Sequence, residues 1–182
     1  MAGSVILYPL SIMKKVSDMN SKLESVELVI SDVQKDYSTM ENEEKLKGMA
    51  WSSVKGYIRD IQQPYLLAYK AWKNEHKEAL ELYSSAGASL PSVQKLDKSQ
   101  MENTITRSEN IIQRQRNREH PNYNVIYFYE DLINELREKI DAMDTFIAAI
   151  SGIFDIADNM HKVIVNASTE LNKVKLSEKA IV

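Results

Sequence analysis

From Ile12 onward the apolar positions are Ile12, Val16, Met19, Leu23, Val26, Ile30, Val33, Tyr37 and Met40. Their spacings alternate between four and three without a break. That is the a/d heptad pattern of a long helix packed along a narrow seam. At about 1.5 Å per residue such a helix is about 50 Å long. Pro9 fits just ahead of it or in its first turn.

Asn42 reads as an N-cap, and Glu43 and Glu44 suit the positive end of a second helix. The stripe then resumes as Trp51, Val54, Ile58, Ile61, Tyr65, Ala68, Trp72, Ala79 and Tyr83. Pro64 removes one backbone hydrogen bond from this helix and predicts a kink over residues 60–64. The clearest break is Ser84 to Pro91, with Gly87 as the C-cap and Pro91 as a first-turn residue. A third segment, Ser92 to Arg118, has a thin stripe of Val93, Leu96, Met101, Ile105, Ile111 and Ile112, and His120-Pro121-Asn122 ends it. The fourth runs from Tyr123 to about Lys175. Its stripe is Tyr129, Leu132, Leu136, Ile140, Met143, Ile147, Ile150, Phe154, Ala157, His161 and Ile164. Between Thr145 and Val165 it is apolar on more than one side, which calls for neighbours all round.

No strand pattern and no internal repeat is visible. The chain therefore reads as all-α. The expected architecture is an elongated antiparallel helical bundle of about four long helices in two hairpins, with coiled-coil-like seams. One domain is expected over 1–182, with a helical arm at 1–86 and a second hairpin at 90–177. Leu28, Val29, Leu66 and Leu67 lie off the main seam. They fit either a neighbouring helix within the chain or a partner helix.

Composition narrows the chemistry. The chain of 182 residues has no Cys, which excludes a disulfide framework, a thiol nucleophile and a Cys-based zinc site. A net charge of −3 argues against a general nucleic-acid binder. Val5 to Leu10 is apolar, but no basic residue precedes it and Lys14 and Lys15 follow at once, so no cleaved secretory signal is read here. Phe146 to Ala157 is the longest apolar candidate for a membrane. It is short for a span and contains Asp155. The three His residues (76, 120 and 161) are scattered. Asp158 and His161 share an i, i+3 spacing, but the second pair a di-iron bundle needs is missing. No phosphate loop, dinucleotide fingerprint, nucleophile elbow or zinc-protease motif occurs. Arg107, Arg114, Arg116 and Arg118 form a basic cluster that reads as a solvated face. Tyr123, Tyr127, Phe128 and Tyr129 read as core or interface anchors. No enzyme, cofactor or metal is expected.

The stretch around which these arms are arranged is Leu46-Lys47-Gly48-Met49-Ala50-Trp51-Ser52-Ser53-Val54-Lys55-Gly56-Tyr57. Gly48 and Gly56 fall inside a helical pattern, where Gly costs about 1 kcal/mol against Ala. A close backbone approach is therefore expected there. Leu46 and Gly48, then Ala50, Trp51, Ser53, Lys55 and Tyr57, with Pro64 and an apolar run beyond, resemble the LXG family. These are the N-terminal targeting domains of toxins exported by the type VII secretion system of Gram-positive bacteria. The motif covers residues 46–67, and the layout of the whole chain is similar to an LXG domain. In general shape the resemblance extends to the small Trp-x-Gly helical-hairpin substrates. In those, a Tyr/Phe-x-x-x-Asp/Glu pair near the C-terminus serves as an export signal. Phe154 and Asp158 fit that form on the late helix, as do Tyr127 with Asp131 and Tyr37 with Glu41.

The resemblance implies a non-catalytic domain that binds small helical adaptor or chaperone proteins encoded nearby. It would direct an attached antibacterial toxin to the type VII secretion ATPase, for use in interbacterial competition. The implied residues are Leu46, Gly48 and Trp51 at the helix junction, and Phe154 and Asp158 as the export pair. Secretion without a cleaved signal peptide, from the cytoplasm, follows. No toxin domain is read in the sequence, and neither nucleic acid nor stable membrane insertion is expected. A pore-forming protein using Phe146 to Ala157, or a self-assembling structural helical protein, is the alternative.

Overall fold

A computed structural model of the chain describes residues 5–45 and 47–179, with residues 172–179 as backbone only. In order, the elements are β1 (Ile6–Leu7), α1 (Pro9–Asn42), α2 (Met49–Tyr57), a π-helical turn (Ile58–Gln62), α3 (Gln63–Ala88), β2 (Leu96–Asp97), α4 (Lys98–Arg116), α5 (Tyr123–Ile150) and α6 (Asp155–Lys179). The protein is all-α with bundle-like helical packing, and its sheet is a minimal one of two short strands. The chain forms two compact units, one from Met1–Val16 and Leu82–Ser151, the other from Ser17–Glu81 and Gly152–Val182.

In the first unit, β1 pairs antiparallel with β2, Ile6 opposite Asp97 and Leu7 opposite Leu96. A strand of two residues is too short to leave any periodicity in the sequence, so the expectation of no strand fails here. The main core gathers Leu90, Leu96, Met101, Met143 and Phe146, with Leu7, Ile12 and Tyr83 packed against it. Burying an aromatic ring as fully as Phe146 stabilises by about 1.5–3 kcal/mol. A second cluster of Ile112, Ile126 and Ile133 joins α4 to α5. Both helices begin at side-chain caps: Asp97 accepts from the Gln100 N–H, and Asn122 accepts from the Val125 N–H. Lys98–Asp144, Arg137–Glu109 and Arg116–Glu130 pair across the hairpin at 2.7, 2.9 and 2.6 Å. They record an antiparallel register more than they stabilise it, because exposed pairs contribute little.

Gly87 is not a C-cap. It is buried within α3, where an added Cβ would stand 3.3 Å from Met13 Sδ and 3.6 Å from Ile12 Cγ2. The close backbone approach expected at Gly48 and Gly56 occurs here instead, where α3 passes the start of α1.

In the second unit, α1 and α3 run antiparallel. Gln63 bonds Glu41, Gln62 bonds Tyr37, and Lys73 pairs with Glu27. Of the α1 seam read from the sequence, Leu23 and Ile30 face inward and Val26, Val33 and Tyr37 are half-buried, whereas Met19 and Met40 are exposed. Leu80, 1% exposed at the end of this stretch of α3, is a core residue the sequence stripe missed. α6 runs back along α3, with Tyr65 near Ile164, Trp72 near His161 and His76 near Phe154.

Two local expectations are corrected, at Asn42 and in the fourth segment. Asn42 closes α1, donating from its side chain to the Ser38 carbonyl, and does not cap α2. The π-turn precedes Pro64, with the Gln63 N–H reaching the Ile58 carbonyl five residues back. The wider turn accommodates a proline that lacks a donor and crowds the carbonyl four residues earlier. The fourth segment is two helices. It breaks at Ser151–Phe154, where Gly152 has φ +73°. Phe146 to Ala157 is therefore not one helical segment. Among the described residues no helix is long and apolar enough to cross a membrane.

Candidate functional site

The turn from α1 into α2 is built by the motif residues. Gly48 precedes α2 with φ 114° and ψ 167°. Only glycine adopts that region readily, because a side chain would clash with its own backbone. Among the described residues no atom lies within 4 Å of the position its Cβ would take. The residue is thus required by backbone conformation and not by a close helix approach within the chain. The Gly48 carbonyl accepts from the Ser52 N–H at 3.0 Å, which starts the helix. Lys55 reaches back from α2 to the Glu43 carbonyl at 3.1 Å. Tyr57 accepts from Gln62 Nε2 at 2.7 Å, and Gln62 Oε1 in turn accepts from Tyr37 on α1 at 3.2 Å. Gly56 has only Asp60 Oδ2 at 4.0 Å from its Cβ position and makes no close approach either.

Leu46 lies outside the described residues. Trp51 is half-buried, and its Nε1 is buried with no hydrogen-bond partner among the described residues. Sequence reasoning named Lys55 and Tyr57 as part of the motif but gave them no role. The structure supplies it: they fasten the helix junction. The signal that finds them is a cationic and a phenolic side chain about two and two and a half turns past a glycine, the first within reach of the preceding loop and the second of Gln62 in the next turn.

Phe154 and Asp158 stand at the start of α6. The Phe154 carbonyl accepts the Asp158 N–H at 2.8 Å, so Phe154 sits in the turn before the helix and not inside a continuous one. Asp158 is exposed. The Phe154 ring packs on His76, centroids 5.2 Å apart, and Trp72 stands between His76 and His161 at 5.6 and 5.7 Å. His76 Nδ1 is buried without a partner among the described residues. Burial lowers the His76 pKa below its ordinary value; Asp158 opposes that shift and His161 adds to it. Along α3 the rings of Tyr65, Tyr69 and Trp72 continue the row edge to face. Hydrogen bonding with Tyr65, and then burial, raises the Tyr69 pKa. Among the described residues no group of three or more His, Asp or Glu side chains is placed to hold a metal ion.

Between α1 and α3 an apolar groove of about 460 Å³ is lined in part by Val26, Val29, Val33, Tyr65, Leu66 and Tyr69. Leu28, Val29 and Leu67 are 68%, 62% and 56% exposed. Of the four off-seam residues only Leu66 is half-buried.

A helix junction set by a glycine's backbone angles and tied down by a lysine and a tyrosine stands here within an all-α protein of bundle-like helical packing. The chain belongs to the LXG family: it matches the LXG domain of the WXG superfamily over residues 11–181. Membership carries a link to type VII secretion, and LXG is a targeting domain and not a known catalytic family. No curated protein and no solved structure matches the chain.

Proposed function

We propose that this chain is a non-catalytic targeting domain. It binds small helical adaptor proteins and so directs an attached toxin to the type VII secretion machinery and its ATPase. The observation that carries the reading is the family match across residues 11–181. The apolar groove between α1 and α3 supports it, because an amphipathic helix laid there buries Val29 and extends the α1 seam. Exposed leucine and valine at this density are costly in water and ordinary at an interface. Phe154 and Asp158 form the export pair in this reading. The carboxylate is free to be recognised, while the ring is held against His76.

Co-expression with the small helical proteins encoded beside the gene tests this directly. The wild-type chain co-purifies with one of them, and Leu28→Glu with Val29→Glu abolishes the complex. Both positions are exposed, so the charges leave the core intact. A chain that ignores every neighbour, or a complex indifferent to the double variant, sinks the reading.

A further inference from the structure

The far end of the α4–α5 hairpin carries side chains that the proposed function leaves unused. Tyr123, Tyr127 and Phe128 are 60%, 59% and 62% exposed in the first turns of α5. Successive helical residues turn by about 100°. Measured from the buried Ile126 and Ile133, Tyr123 and Tyr127 fall on the flank of Glu130, and Phe128 lies about 100° beyond Tyr127, on the side of α5 turned away from the core. The rings therefore form a continuous arc over the outward side of α5.

Arginines share that end. Arg114 and Arg116 occupy the last turn of α4, and Arg118 follows in the loop. Arg116 pairs with Glu130 across the hairpin. Arg114 and Arg118 make no ion pair among the described residues. Between residues 114 and 128 the three arginines stand against one acid, Glu119, in a chain whose net charge is −3.

We propose that this end dips into the headgroup layer of an anionic lipid surface. Exposed rings beside Arg114 and Arg118 match a surface that is anionic at its face and apolar beneath. Tyrosine suits that depth, since its ring is apolar and its hydroxyl stays wet. Guanidinium groups at the same level bind lipid phosphate with two donors each. The contact is interfacial and needs no membrane-crossing helix. It is independent of the adaptor groove, which lies in the other unit.

Sedimentation of the full chain with phosphatidylcholine vesicles, with and without phosphatidylglycerol, tests the proposal. The chain binds only the phosphatidylglycerol vesicles and is released by high salt. Each charge near such a surface contributes about fivefold, so Arg114→Glu with Arg118→Glu lowers partitioning by well over tenfold, while the two Arg→Lys changes keep most of it. Tyr127→Ser with Phe128→Ser weakens binding severalfold at unchanged helicity by circular dichroism. Absence of binding to the anionic vesicles, equal binding to both lipids, or indifference to either double variant overturns the proposal. Binding of RNA without binding of vesicles overturns it in favour of a polyanion site.

Discussion

Lys55 donates to the backbone carbonyl of Glu43 at 3.1 Å, and this bond ties the second helix back onto the turn that leads into it. The carbonyl belongs to a turn outside any helix, so no intrahelical partner competes for it. Lys55→Met keeps most of the aliphatic stem and removes the donor. It is expected to lower stability by about 0.5–1.5 kcal/mol, as one partly buried hydrogen bond does. Urea denaturation measures it. An unchanged midpoint would show that water replaces the lysine without loss.

Gly48 makes a sharper case. Its φ of 114° with ψ near 167° lies outside the left-handed helical region that asparagine tolerates. Gly48→Ala and Gly48→Asn should therefore cost alike, about 1–3 kcal/mol each. Helicity should persist, because among the described residues no atom stands within 4 Å of the added Cβ. If asparagine were clearly milder than alanine, the backbone there would be left-handed helical and the account of the junction would be wrong.

At Gly87 the expected order is different. The angle is ordinary, and the constraint is the space beside Met13 and Ile12. Gly87→Ala pushes on the end of a flexible thioether and gains up to about 1 kcal/mol of helix propensity, so it should be close to neutral. Gly87→Leu overpacks the site and should cost about 1–3 kcal/mol. A thermal melt of the two variants separates them, and equal melting temperatures would show that the helices are not in contact there.

His76 gives the fold a pH dependence of definite sign. Its folded-state pKa lies below the ordinary value of about 6.5. Between those two values the unfolded chain binds more protons than the folded one, so this contribution is complete above about pH 6.5 and is lost as pH falls toward the folded pKa. The denaturation midpoint should drop on acidification through that window, and His76→Phe should flatten the drop. Trp72, 5.6 Å from the His76 ring, reports the titration by fluorescence in a Trp51→Phe background. A midpoint that rises on acidification would contradict the burial of this imidazole.

The sequence made the long seams legible because each buried position repeats within one helix. Val16, Leu23 and Ile30 are seven residues apart and all buried. What it hid was non-local. A glycine in a helical pattern looks the same whether an unusual φ requires it, as at Gly48, or a crossing helix does, as at Gly87. The reading assigned the second cause to the first residue. Ser151-Gly152 sits in an apolar run that read as one packed helix, and only the backbone angle at Gly152 shows that the chain breaks there. At the motif, Gly48 and Trp51 were legible as types. The tethers from Lys55 and Tyr57 were not, because their partners, Glu43 and Gln62, are polar residues that stand outside the apolar stripes.

Export is the most direct test of the central claim. The chain, fused to an epitope tag, is expressed in a host with an intact type VII system and in one lacking its secretion ATPase, beside its neighbouring helical proteins. The account predicts tagged protein in the medium only with the ATPase present, and loss of that signal with Leu28→Glu and Val29→Glu at unchanged cellular levels. Equal amounts in the medium of both hosts, or full export of the double variant, would contradict it.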